Sequence, residues 1–228
     1  MKFEDIKEFY HRRLPHYQVI GATFFVTFRL HGSIPKVELD RLRLRYEDLK
    51  SAVSNRNPPD LKEQLDVLNR KYFGAYDRLL DQIKTGPHYL KDETIARVVK
   101  DQLHRFDGEW YDLVCYCIMS NHVHVILKTD LQIPEDIHPV DWRGYEFTPL
   151  NKILGRIKGA SAYECNRLLG RTGHKFWQPE SWDRIPRSPE QLQRMISYVL
   201  NNPVKAGIVT DWELFPHTYL KGWEATAR

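Results

Sequence analysis

Two periodicities of hydrophobic positions divide the chain into strands and helices. Runs rich in β-branched and aromatic residues predict strands, whereas apolar residues that recur every three or four positions predict amphipathic helices. The predicted strands cover residues 21–30, 111–119 and 122–128, with a short one near 182–185. The predicted helices cover about 36–55, 60–83, 93–104, 150–168 and 188–201.

The order of these elements predicts the fold class. Strand, helices, strand, strand, helix, strand and helix follow one another, which is the βαββαβ pattern of ferredoxin-like sheets. We therefore expect an α+β protein with an antiparallel sheet and extra helices, about 37–84, inserted in the first crossover. We predict one domain over residues 1–228, with a C-terminal tail at about 208–228.

The last predicted helix carries clear signals of both its ends. Ser188, Pro189 and Gln191 take the N-cap, first and third helical positions, which together form a capping box. Pro203 marks the other end, because the residue before a proline avoids the helical region. We expect this helix to end near Asn201 or Asn202.

Composition favours a cytoplasmic globular protein. Hydrophobic residues make up 42% of the chain and charged residues 28%, which suits an ordinary core and a hydrated surface. A run of about 18 apolar residues is missing, as is an apolar N-terminal signal core, so we expect no membrane association. Three cysteines indicate a reducing compartment, and we interpret Cys115 and Cys117 as buried strand thiols rather than zinc ligands.

The net charge of +4 is unevenly distributed along the chain. Residues 151–228 hold 12 Lys and Arg against 7 Asp and Glu, whereas residues 1–150 hold 22 against 23. A basic segment of this kind can neutralise phosphates. Charge alone is equally compatible with a solvated helix face, so both interpretations stay open at this point.

His122 and His124 are the most informative residues of the chain. One apolar residue separates them within a predicted strand, so their imidazoles point to the same face. Two imidazoles on one face form half of a site for a divalent metal ion. Taken without other motifs, a pair of hydrogen-bonded strand histidines would be the better interpretation.

Tyr198 and Asn202 lie four positions apart on the last predicted helix and therefore share a face. A phenol is a feasible nucleophile towards phosphorus and would form a covalent phosphotyrosine. The Asn202 oxygen is a hard ligand that could complete a two-histidine site for Mg²⁺ or Mn²⁺. Tyr198 is also compatible with a core position, and Asn202 with a cap at the helix end.

These motifs together resemble a known family. Residues 119–127 (MSNHVHVIL), 176–178 (FWQ) and 198–207 (YVLNNPVKAG) occur in the order found in single-tyrosine transposases of the His-hydrophobic-His superfamily. Within it, the chain is most similar to the REP-associated tyrosine transposases. Residues 12–17 of the chain (RRLPHY) also resemble the opening segment of that family. The likeness spans most of the chain, and the segment 37–84 is its least characteristic part.

The resemblance implies a fold, a reaction and a set of site residues. His122 and His124 would be metal ligands for Mg²⁺ or Mn²⁺, Tyr198 the nucleophile, and Asn202 a third ligand or catalytic polar residue. The implied reaction cleaves single-stranded DNA near a hairpin, leaves a 5′-phosphotyrosine and a free 3′-hydroxyl, and then rejoins the strand. Nucleotide cofactors are not required, because the covalent bond conserves the energy. The resemblance favours a monomer associated with the bacterial nucleoid, with a dimer as the alternative.

Other functions remain open on the sequence. One alternative is a domesticated protein that binds DNA hairpins without productive cleavage, and another is a replication or mobilisation relaxase with the same use of metal. As DNA contacts we select five cationic residues, on surface charge rather than on a motif: Arg12, Arg13, Lys158, Arg184 and Lys205.

Overall fold

A computed structural model describes residues 7–11, 15–133 and 146–223, with side chains described from residue 19 onwards. The predicted DNA contacts Arg12 and Arg13 lie outside the described residues. The chain divides into two compact units, Met1–Leu30 with Tyr89–Arg228, and His31–His88. That the chain acts as one domain stays a prediction. Among the described helices, none is both long and apolar enough to cross a membrane.

The described residues form the following elements. The strands are β1 (Lys7–His11), β2 (Pro15–Val19), β3 (Thr23–Arg29), β4 (Asp112–Ile118), β5 (His122–Lys128), β6 (Trp182–Arg184) and β7 (Thr218–Leu220). The helices are α1 (Lys36–Arg56), α2 (Leu61–Gln82), α3 (Glu93–His104), α4 (Leu150–Leu168), α5 (Pro189–Leu200) and α6 (Asn202–Lys205).

The first unit is built on a five-stranded antiparallel sheet. Its strand order is β6-β3-β5-β4-β7, and β1 pairs with β2 in a separate hairpin that was not predicted. The predicted succession of strand, helix, strand, strand, helix and strand is present as β3, α3, β4, β5, α4 and β6. The α+β class and the antiparallel sheet are therefore confirmed, while the finer ferredoxin-like assignment stays a prediction. Strand β7 lies within the predicted tail and was not predicted.

Alternation along the strands gives this sheet two different faces. On one face, Phe28 and Val123 lie side by side and belong to the main apolar core, to which α3 and α4 contribute. On the other face, Thr27, His124 and Cys117 form a row across β3, β5 and β4. Helix α5 contacts β4, β5 and β7 and carries a tyrosine over this second face.

Trp177 fixes the loop after α4 to the core face of the sheet. Its indole packs edge-to-face on Phe28, with ring centroids 4.8 Å apart, and Nε1 donates to Ser161 Oγ on α4 at 2.9 Å. The backbone N–H of Gln178 donates to the carbonyl of Arg29 at 2.9 Å. The FWQ segment of the family motif thus holds this loop between β3 and α4.

Helix α5 begins as predicted and is followed by a second helix that was not predicted. Ser188 Oγ accepts from the Gln191 N–H at 3.2 Å, and Gln191 Oε1 accepts from the Arg187 N–H at 2.8 Å. Helix α5 ends at Leu200, and the single turn α6 has Pro203 in its first turn. A proline there loses no hydrogen bond, since the first helical N–H groups have no partner in the helix. Pro203 therefore starts a new turn.

The second unit consists mainly of α1 and α2, which contact each other. These two helices correspond to the predicted insertion of about 37–84. Tyr46 packs against Tyr72 with ring centroids 4.5 Å apart, and its hydroxyl donates to Asn69 Oδ1 at 2.6 Å. Helix α1 contains no buried residue.

Candidate metal and tyrosine site

His122 and His124 face each other on β5 as their spacing predicts. Both side chains are buried, and their Nε2 atoms are 3.1 Å apart. Two ligands bound to one ion at about 2.1 Å, roughly perpendicular to each other, lie about 3 Å apart. The two imidazoles are therefore spaced to share one divalent cation.

The outer nitrogens of both rings contact neighbouring oxygens. His122 Nδ1 lies 2.6 Å from Asn121 Oδ1, and His124 Nδ1 lies 2.7 Å from Thr27 Oγ1. A carbonyl oxygen can only accept, so His122 carries its proton on Nδ1 and keeps a lone pair on Nε2. The Thr27 hydroxyl can donate or accept, so it holds the His124 ring in place in either tautomer. Such outer-shell bonds are typical of histidines that bind metals.

Tyr198 lies on α5 next to this histidine pair. Its ring is 5.6 Å from that of His124 and 6.0 Å from that of Phe25, in both cases edge-on. Phe25 in turn stacks on His124 at 5.8 Å. The ammonium of Lys205 is 5.2 Å from the centre of the tyrosine ring. The fold thus brings four of the predicted site residues together: His122, His124, Tyr198 and Lys205.

Asn202 is fully buried one helical turn after Tyr198. Neither its Oδ1 nor its Nδ2 has a hydrogen-bond partner among the described residues. A buried polar group without a partner costs about 1–3 kcal/mol, so this amide is suited to receive a ligand. Within the described chain, hydrogen bonds do not connect it to either histidine, and its role as a third ligand stays a prediction.

The predicted DNA contacts have different surroundings. Lys205 is exposed, and Arg184 on the edge strand β6 pairs with Phe25, so it shares the face of the histidines. The Lys158 ammonium donates to three oxygens of the loop after α4: Gln178 O at 2.8 Å, Pro179 O at 2.9 Å and Ser181 Oγ at 3.2 Å. Lys158 thus ties this loop to α4, and its contact with DNA stays a prediction.

The three cysteines are buried thiols, which confirms the prediction made for Cys115 and Cys117. Cys115 and Cys117 are fully buried on β4, and burial raises the pKa of the Cys115 thiol far above its ordinary value. Cys165 on α4 is also buried, which raises its pKa to about 12. A thiol that stays protonated is a poor metal ligand, so these residues do not compete with the histidines.

Sequence reasoning missed the residues that hold the site together. Asn121 directly precedes His122, and its place in the motif could have indicated a contact with that ring. Thr27 and Phe25 alternate along β3 and therefore share a face, but only the pairing of β3 with β5 puts Thr27 opposite His124.

Fold and side chains together define an α+β protein in which a helical tyrosine lies beside a pair of strand histidines, the arrangement that the sequence resemblance implies. A search of protein-family models gives no match. Over 106 residues the chain is 28% identical to a protein of Haemophilus influenzae named REP-associated tyrosine transposase. That match covers 45% of this chain and 56% of the relative, so the chain spans little more than half the length of that curated protein.

One solved structure is similar over nearly the whole chain. It is a REP-associated tyrosine transposase bound to a REP hairpin, with a TM-score of 0.50 and 14% identity, and the match covers 96% of this chain and 95% of the other. At this identity the likeness concerns the fold alone. The resemblance to REP-associated tyrosine transposases is confirmed by the two comparisons taken together.

Proposed function

We propose that the chain cleaves and rejoins single-stranded DNA at hairpin-associated sites through a 5′-phosphotyrosine on Tyr198. The observation that carries this proposal is the Tyr198 ring 5.6 Å from that of His124, whose Nε2 faces His122 Nε2 at 3.1 Å. A nucleophile beside a pair of potential metal ligands is an arrangement suited to phosphodiester exchange.

In the forward step, the Tyr198 phenol loses its proton and its oxygen bonds to phosphorus. The bond from phosphorus to the 3′-oxygen breaks, and that oxygen takes up a proton to become a free hydroxyl. Rejoining is the reverse, since a 3′-hydroxyl attacks the phosphotyrosine and releases the phenol. One phosphodiester is exchanged for another, so the bond energy is conserved and no nucleotide cofactor enters.

Mg²⁺ or Mn²⁺ would be held by His122 and His124, with Asn202 as the proposed third ligand. The 3.1 Å spacing of the two Nε2 atoms and the buried amide without a partner among the described residues support this assignment. When bound, the ion would polarise the scissile phosphate. The protein's own part is to orient both imidazoles, through Asn121 and Thr27, and to hold the tyrosine beside them.

The proposed substrate is hairpin DNA with an unpaired flank. The similar solved structure has a REP hairpin bound, and the basic excess of residues 151–228 favours a polyanion. We propose Lys205 and Arg184 as phosphate contacts near the tyrosine, with Arg12, Arg13 and Lys158 as further contacts. The chain would act as a monomer on the bacterial nucleoid.

The test is covalent trapping of a labelled hairpin oligonucleotide in Mn²⁺. We expect the wild-type chain to form an adduct that survives denaturing electrophoresis, and Tyr198→Phe to lose it while still binding the hairpin. Tyr163→Phe, which changes an exposed tyrosine on α4, should form the adduct normally. An adduct with Tyr198→Phe would show that another residue is the nucleophile.

Hairpin binding by the wild type without any adduct or Mn²⁺-dependent nicking would favour the second candidate, a domesticated binding protein.

A further inference from the structure

Helices α1 and α2 line a groove of about 590 Å³ within the second unit. On α1 its lining residues include Arg45 and Tyr46, and on α2 they include Arg70, Lys71, Tyr72 and Arg78. The lining residues of α1 recur at spacings of three and four, so they form one continuous helix face. This feature, called the helical groove below, lies in the segment that the family motifs leave unexplained.

The helical groove has an apolar floor that includes Leu42, Leu49 and Leu68, and its charged lining residues are all cations. Arg45, Arg70, Lys71 and Arg78 are exposed, and the lining contains no Asp or Glu. The second unit as a whole has 11 Lys and Arg against 9 Asp and Glu. Its composition therefore does not explain why the charged residues of the groove are all cations. Among the described residues, these four make no salt bridge, whereas Arg41 of α1, which does not line the groove, pairs with Glu38.

Two tyrosine rings lie among these cations. Tyr46 and Tyr72 are partly buried, with centroids 4.5 Å apart and planes tilted by 38°. The hydroxyl of Tyr46 is held by Asn69 at 2.6 Å, which fixes that ring. Aromatic faces between cationic side chains are the means by which proteins bind single strands without reading their sequence.

We propose that the helical groove binds an unpaired DNA strand, with bases against the two tyrosines and phosphates against the four cations. The proposal rests on the proposed function, since it assigns a place to the single strand that flanks the hairpin. Charge complementarity favours a polyanion over an apolar helix or a second copy of this basic surface.

The test compares two variants of the full chain with the same loss of charge. The groove variant changes Arg45, Arg70, Lys71 and Arg78 to Gln. The control variant changes four exposed cations of the same unit that lie outside the groove to Gln: Arg43, Arg56, Lys62 and Lys84. Fluorescence anisotropy measures the affinity for a hairpin with about ten unpaired flanking nucleotides and for the same hairpin without a flank.

We expect the groove variant to bind the flanked hairpin about tenfold more weakly than the control variant. The slope of log affinity against log salt should be smaller in magnitude by about 3 for the groove variant than for the control variant. Each lost contact with single-stranded phosphate reduces this slope by about 0.7. The two variants should bind the bare hairpin alike. Circular dichroism verifies that both are folded.

The tyrosines are tested separately, at constant charge. Tyr72→Leu should weaken binding of the flanked hairpin about tenfold, because stacking one base on an aromatic ring contributes about that factor. Tyr72→Phe keeps the ring and should bind as the wild type does.

Equal affinities of the groove and control variants for the flanked hairpin would overturn the groove proposal alone, while adduct formation on Tyr198 would still support the proposed function. A wild-type chain that binds no DNA would overturn both proposals. A groove variant that changes the sedimentation of the protein but not its DNA affinity would assign the groove to a second copy and overturn the proposal.

Discussion

Thr27 and Asn121 determine how the two strand histidines present their ring nitrogens. Each contacts the nitrogen that points away from the other histidine, at 2.7 and 2.6 Å. These two contacts hold the rings at a fixed angle before any ion binds, so the pair of imidazoles is preorganised. Outer-shell groups of this kind commonly change metal affinity ten- to a hundredfold.

At this scale we predict that Thr27→Val weakens Mn²⁺ binding by about ten- to a hundredfold. Valine has nearly the shape of threonine, so the row of Thr27, His124 and Cys117 stays packed while the oxygen is lost. Thr27→Ser keeps the hydroxyl and serves as the control. Calorimetric titration of the full chain with Mn²⁺ measures the effect, and wild-type affinity in Thr27→Val would disprove the orienting role.

The sequence could predict some site residues and not others, because their signals differ in range. His122 and His124 share a face through strand geometry alone, and Tyr198 and Asn202 share one through helix geometry. Thr27 and His124 are 97 positions apart in the sequence. They are in contact only because of the register in which β3 pairs with β5. Local periodicity carries no information on registration between strands.

At the scale of elements, the end of α3 meets β4 and β7 at His104. The imidazole lies edge-on to Tyr116 and Tyr219, with ring centroids 5.7 and 4.8 Å away. Burial lowers the pKa of His104 below its ordinary value of 6.5, and Lys100 acts in the same direction. The folded chain therefore favours the neutral ring, while the unfolded chain binds the proton more readily.

It follows that His104 stabilises the fold less as pH falls. Its contribution is fully present above about pH 6.5 and is lost as pH decreases towards the lower, folded-state pKa. We predict a lower urea midpoint at about pH 5.5 than at about pH 7.5, and a smaller difference in His104→Gln. Burial also lowers the pKa of His217, so the double variant should reduce the difference further. An unchanged difference in the double variant would contradict this account.

Elements with local signals were predictable, and elements that depend on distant partners were not. Asp92 caps α3 by accepting from the N–H groups of Thr94 and Ile95, and Ser188 caps α5 in the same way. Strand β7 has only three residues, and its Thr218 pairs with Cys117, 101 positions earlier. A run of that length is too short to show a period, so its sheet partner alone defines it as a strand.

At the scale of the whole molecule, the basic excess of residues 151–228 divides into cations with different partners. Arg167 and Lys221 pair with Glu164 and Asp112 of the protein itself. Lys158 donates to loop oxygens. The ammonium of Lys205, an exposed residue, lies 5.2 Å from the centre of the Tyr198 ring. Net charge therefore overstates the number of cations that are available to a phosphate backbone.

This division predicts how the affinity for hairpin DNA depends on salt. Each lost phosphate contact on a duplex lowers the slope of log affinity against log salt by about 0.9, so Lys205→Gln with Arg184→Gln should lower it by about 2. The control, Arg167→Gln with Lys221→Gln, removes the same charge from side chains that already pair with carboxylates, and its slope should stay near that of the wild type. Fluorescence anisotropy over a range of NaCl concentrations measures both slopes. If the two variants lowered the slope equally, the DNA would respond to total charge rather than to cations placed beside the tyrosine.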